Sequence, residues 1–161
     1  MPVFATAGAK IHIGGELAAQ SADFAVADFS GVTWTEIMEV ESLGSFGDTA
    51  QEVPFESLGY SRTRRMKGLR SAGTMEIVCG MDYADAGQLA AIAAEKTDKE
   101  YAFKITFDDA PTGGTPSERY FVAQVGAVTE QLDTANNVMK LNISLWVNSN
   151  IVRVAAAEPA V

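Results

Sequence analysis

Between Val138 and Val147 every second residue is apolar: Met139, Leu141, Ile143, Leu145 and Val147 alternate with Lys140, Asn142, Ser144 and Trp146. A helix returns its side chains to one face every 3.6 residues, so a sustained period of two predicts a strand buried on one side only. The same alternation recurs from Thr74 to Met81, with Met75, Ile77, Cys79 and Met81 on one face. It returns from Tyr101 to Asp108, with Tyr101, Phe103, Ile105 and Phe107 on one face. Arg119 to Leu132 is apolar on both faces for much of its length, and the Asp133–Asn137 turn predicts that it forms a hairpin with the strand that follows. Lys10–Ile13, Val32–Glu41 and Tyr60–Lys67 are weaker strand candidates.

One segment departs from this period. Tyr83 to Thr97 is rich in alanine, and Ala86, Leu89, Ile92, Ala93 and Lys96 fall at helical spacing. Asp82 followed by Asp85 reads as a capping pair at its start. One helix (about 83–97) amid about seven or more strands predicts a mainly β fold, a sandwich or barrel with the helix flanking one side. A chain of 161 residues is expected to form this as a single domain, 1–161. From 43 to 59 neither period is present, which predicts a long loop. Its Phe46, Val53, Phe55 and Leu58 need apolar cover.

Charge divides the chain more clearly than glycine or proline does. The formal net charge is −9, from 12 Lys+Arg and 21 Asp+Glu. From Ile11 to Ser61 there are acids and no Lys or Arg: Glu16, Asp23, Asp28, Glu36, Glu39, Glu41, Asp48, Glu52 and Glu56. The sign then reverses, with Arg62, Arg64, Arg65, Lys67 and Arg70 packed into nine residues. An acidic body argues against DNA binding by phosphate neutralisation over the whole surface. The basic cluster admits three readings: a phosphate site, a solvated hairpin, or pairing with the acidic surface of another copy. The last is the best supported, because the same chain carries the complement, and such a heterologous contact builds rings or filaments.

Residues able to carry catalysis are sparse. His12 lies between Ile11 and Ile13 on a strand, where a structural role is expected, and no G-x-S-x-G elbow accompanies it. Cys79 alternates with Ile77 and Met81 and reads as a buried, inert thiol. One Cys and one His cannot form a structural zinc site. Gly14-Gly15 and Gly113-Gly114 lack the spacing of a phosphate loop. Asp108-Asp109 is expected to be a solvated pair at a loop start. No cofactor or metal is expected, and neither is an enzyme. No stretch reaches eighteen apolar residues and the N-terminus lacks a signal-peptide pattern, so no membrane association is expected.

Several segments together resemble the major tail tube proteins of long-tailed, non-contractile bacteriophages and their prophage relatives. They are Thr33–Ala50 (TWTEIMEVESLGSFGDTA), Arg62–Ile77 (RTRRMKGLRSAGTMEI), Asp85–Ile92 (DAGQLAAI) and Tyr101–Phe107 (YAFKITF). The resemblance spans about residues 30–155 and rests on the order of these elements. It implies a β-sandwich or barrel with one helix, assembling into rings, six copies being expected, that stack into a tube. Genome DNA would pass through as transient cargo, and other tail proteins would meet the tube ends. The location implied is the virion tail, assembled in the host cytoplasm. On this reading 43–59 is an assembly loop and Arg62–Arg70 lies at a subunit interface. Glu36, Glu39, Glu41, Asp48, Glu52 and Glu56 supply an acidic partner surface or face the lumen. The rival readings are a tail terminator, a head-decoration protein, or a carbohydrate-binding or adhesion sandwich displaying Trp34 or Trp146.

Overall fold

The computed structural model describes residues 3–160. It contains ten strands and one α-helix in the order β1 (Lys10–Glu16), β2 (Thr35–Ile37), β3 (Val40–Ser42), β4 (Thr49–Phe55), β5 (Arg64–Ser71), β6 (Thr74–Gly80), α1 (Ala86–Glu95), β7 (Tyr101–Thr106), β8 (Glu118–Gln131), β9 (Lys140–Val147) and β10 (Val152–Val154). A short 3-10 turn, Val26–Phe29, lies between β1 and β2. The principal sheet runs β2-β1-β7-β8-β9-β6-β3, with β10 added to β8, and every pairing is antiparallel.

The terminal strands of that order, β2 and β3, are separated in sequence only by Met38 and Glu39. The sheet therefore curls until its two ends become one bent segment, and the corner is made by Glu39 at φ 59°. A left-handed residue other than glycine needs support from its surroundings. Here α1 supplies it. Asp85 caps the helix by accepting from Gln88 N at 3.1 Å, and the same Oδ2 accepts from Met38 N at 3.1 Å. The fully buried Gln88 donates from Nε2 to Met38 O (3.1 Å) and Gly80 O (2.9 Å), while its Oε1 accepts from Asp82 N (3.0 Å). Asp85 alone is the N-cap; Asp82 accepts from Ala84 N instead, so the expected capping pair is corrected to a single cap.

The alternating segments behave as the period of two requires. Met75, Ile77 and Cys79 of β6 and Leu141, Ile143, Leu145 and Val147 of β9 are buried together with Ile11, Ile13, Ile37, Phe103 and Phe121. β8 is apolar on both faces because it serves two cores. Phe121 and Ala123 enter the barrel interior, while Val122 joins Ala102, Val152, Phe24 and Phe29 under the segment between β1 and β2. β8 pairs with β7 through Ala123 and with β9 from Ala123 onward, turning at the irregularity between Val125 and Ala127. Gly126 stands at that turn because the Trp146 ring lies across it; a Cβ there would come within 2.2 Å of the indole.

Two expectations change. The helix buries Gly87, Gln88, Ala91 and Ala94 rather than the larger Leu89, and Ala86, Ala93 and Lys96 are exposed. Small residues win because α1 crosses β2 at backbone distance: a Cβ on Gly87 would lie 2.1 Å from Glu36 O. The stretch 43–59 is not one long loop. Thr49–Phe55 forms β4 and pairs with β5 in a separate two-stranded sheet. Its alternation is hidden because Val53, Pro54 and Phe55 are consecutive apolar residues and the ladder shifts register between Ala50 and Glu52. No helix among the described residues is long and apolar enough to cross a membrane.

Candidate functional site

The β4–β5 hairpin stands apart from the barrel and shares no ladder with it. Opposed pairs place Val53 with Met66 and Phe55 with Arg64 on one face, and Glu52 with Lys67 and Pro54 with Arg65 on the other. Side chains that a globular core would cover are left in solvent: Phe55 is 53% exposed, Met66 57% and Leu69 82%. Val53, Leu58 and Tyr60 are exposed as well. A two-stranded ribbon with no third layer is marginal in water, so this arm has little stability of its own.

The basic cluster lies on the arm: Arg64, Arg65, Lys67 and Arg70 on β5, and Arg62 in the turn before it. Two of the five find acids on their own hairpin. Arg65 Nε is 3.1 Å from Glu52 Oε1, and Arg70 is 4.0 Å from Asp48 at the arm's base. Such exposed pairs contribute at most about 1 kcal/mol. The Arg64 guanidinium lies 3.8 Å from the centroid of the Tyr60 ring. Among the described residues no acid is within ion-pair distance of Arg62, Arg64 or Lys67.

The structure divides the other candidates among different places. Val53, Phe55 and Leu58 belong to the arm, but Phe46 packs on the barrel core and stacks on Phe121 at 6.1 Å. Its own chain already partly covers Phe46. The acids do not form one surface. Glu36 sits on β2, 3.9 Å from both Lys10 and His12, Glu39 is exposed at the barrel corner, and Glu41 holds Lys140 at 2.8 Å. Asp48 and Glu52 pair within the arm, and Glu56 is exposed just beyond β4. Sequence reasoning overlooked Met66 and Leu69; their recurrence between the basic residues of β5 was the available signal.

The reactive groups are buried or held by their own chain, with His12 Nδ1 buried and without a hydrogen-bond partner among the described residues. Burial, and next the Lys104 charge, lower the pKa of His12, which keeps its imidazole neutral. Asp109 is not a free solvated carboxylate: it accepts from Ser117 Oγ (2.6 Å) and Ser117 N (2.8 Å), bonds that hold it below the usual range. Trp34 packs on Tyr120 at 5.8 Å, with Lys104 over its ring at 5.3 Å, whereas Trp146 remains half exposed. Cys79 is fully buried, and burial followed by the Asp85 charge pushes its thiol up to about 11. At pH 8 only about a thousandth of it is thiolate. Cys79 is therefore expected to resist a thiol-disulfide reagent in the native protein and to react fully in denaturant; a rapid native reaction, followed by absorbance, would contradict this placement.

Three solved structures share this fold over nearly the whole chain. A chain in the sheath/tube terminator of an extracellular contractile injection system, PVC, in its extended state, superposes with a TM-score of 0.69 at 11% identity, covering 96% of this chain and 99% of that one. The SPP1 tail tube matches at 0.62 and 14% identity, covering 99% and 81%. A chain in the anti-feeding prophage baseplate matches at 0.66 and 10%, covering 96% and 98%. No family profile matches the sequence, and no curated protein matches it.

Proposed function

We propose that this chain is a structural subunit of a phage-like tail tube, whose copies join into rings, six being the expected number, that stack into a conduit for DNA. The observation that carries the proposal is the arm: an apolar, basic hairpin outside the barrel, on a fold shared with tail components. Its work is mechanical and electrostatic, without turnover. Other tail proteins meet the tube ends, and the finished tube belongs to the virion tail after assembly in the host cytoplasm. Six copies at −9 give a ring of −54, and acids on the inner wall repel phosphates so that DNA slides without being held. A second reading, a terminator that closes one tube end, has the likeness to the sheath/tube terminator structure in its favour.

Negative-stain electron microscopy of the purified protein tests the proposal. Tubes of uniform bore are expected; closed rings that never stack favour the terminator, and a monodisperse monomer at high concentration overturns both. Reversing the arm charges with Arg64→Glu and Arg65→Glu removes the Tyr60 contact and sets a carboxylate beside Glu52. Tube yield in a pelleting assay is expected to fall at least about tenfold, the effect of roughly 1.4 kcal/mol per contact, with the barrel's melting temperature unchanged. Unaltered polymerisation would count against an assembly role for the cluster. Binding to duplex DNA at physiological salt is expected to be weak, and submicromolar affinity in a gel shift would exclude the sliding conduit.

A further inference from the structure

The end of the barrel remote from the arm carries a second group of uncovered apolar side chains. Met38, Tyr83, Leu89, Leu132, Val138 and Met139 are each about half exposed or more. They come from four separate segments, and the hydrogen bonding brings the central ones together. Met81 N donates to Met139 O at 3.0 Å, Gly80 N to Glu39 O at 2.7 Å, and Gln88 ties Met38 O to Gly80 O. Lys140, next to Met139, pairs in register with Gly80 on one side and Gln131 on the other, which sets Leu132 and Val138 alongside.

This patch and the arm lie at opposite ends of β6. The arm's last strand ends at Ser71, just before β6 begins at Thr74, and the patch surrounds Gly80, where β6 ends. At about 3.3 Å per residue the two are separated by roughly 20 Å along the barrel. Their charges are opposite too. Glu39, Asp82 and Asp133 stand around the patch, and the neighbouring Lys140 is neutralised by Glu41 at 2.8 Å. The arm presents Arg62, Arg64 and Lys67 without ion-pair partners among the described residues. An apolar basic element at one end and an apolar acidic one at the other cannot satisfy each other within one copy. Between copies they define a heterologous contact that repeats along an axis. Methionine suits the receiving side, because its unbranched thioether adapts to an incoming surface.

We infer that the Met38–Tyr83–Met139 end of the barrel receives the β4–β5 arm of a second copy, so that subunits join head to tail. This rests on the tube-forming reading above and names the surface to which the arm binds. The test uses two complementary full-length variants. One is Met38→Lys with Met139→Lys, which makes the receiving end basic and leaves the arm intact; the other is Phe55→Ser with Leu58→Ser, which disables the arm and leaves the receiving end intact. Neither is expected to polymerise alone, and mixed in equal amounts they are expected to pair, doubling the mass seen by analytical ultracentrifugation without forming tubes. Tyr83→Lys, at a side chain 88% exposed, gives a second receiving-end variant that leaves the barrel core untouched. Tubes from the receiving-end variants at the parent concentration, or a mixture that does not pair, would overturn the contact while leaving tube formation by the parent intact. Absence of any polymer from the parent would overturn the tube reading itself and this contact with it.

Discussion

A chain carrying Phe55→Ser and Leu58→Ser is expected to fold as the parent does and to form no tubes at concentrations where the parent is fully polymerised. Both side chains stand in solvent on the arm and contribute nothing to the barrel core. Covering the fully exposed Leu58 stabilises a contact by roughly 1.5–3 kcal/mol and covering the half-exposed Phe55 by about half as much, so their loss weakens every joint by about 2–4.5 kcal/mol. That is a factor of at least about thirty in affinity, and it recurs at each subunit of a ring. The check is a sedimentation assay across a concentration series, with circular dichroism to confirm the fold. Tubes at the parent's critical concentration would show that the arm does not hold copies together.

The second large effect is on stability. Gln88→Leu is expected to destabilise the protein by about 3–5 kcal/mol, because three backbone groups, Asp82 N, Met38 O and Gly80 O, lose their partner in or near the core. For a chain of this size that lowers the melting temperature by roughly 10 °C or more. The same replacement at Gln124, whose amide meets Asp98 O at an exposed site, is expected to cost under about 1 kcal/mol. Calorimetry on the two variants separates a buried bridge from an ordinary surface amide, and equal melting temperatures would refute the role given to Gln88.

Much of the barrel was legible in the sequence. Met75, Ile77 and Cys79, and Leu141, Ile143 and Leu145, alternate because one side of each strand faces the interior, and all six are buried. Ala102 lies on the face opposite Phe103 and Ile105 and is nevertheless buried, since the segment carrying Phe24 and Phe29 covers that face; nothing in the period of a strand reveals that a distant loop will lie across it. The helix is legible but most of its inward face is not: Ile92 packs on the core as its spacing predicts, whereas Gly87 and Ala91 are selected by close approach rather than by hydrophobicity. The basic cluster stood out by charge alone. Its acidic complement is dispersed in the fold, with Glu52 on the arm and Glu41 on the barrel, each facing a cation of its own chain, and nothing in the order of the sequence shows that separation.

The register pairs carry a further implication for the order of events during folding. The arm closes a local hairpin, Phe55 against Arg64, whereas the barrel must match Ile11 with Ile105 and Ile77 with Ile143. Local hairpins form in roughly microseconds, while sheets built from distant partners take about milliseconds to seconds. A nascent copy can thus close its ribbon as soon as it meets a covering surface, whereas its Met38–Met139 end comes late, since that end exists only when β3, β6 and β9 have met. On the proposed head-to-tail contact, an unfinished chain can grasp a growing polymer but nothing can be built upon it. Time-resolved refolding in the presence of preformed tube ends would reveal this as a pause in elongation, lasting as long as the barrel takes to close, and elongation without such a pause would refute it.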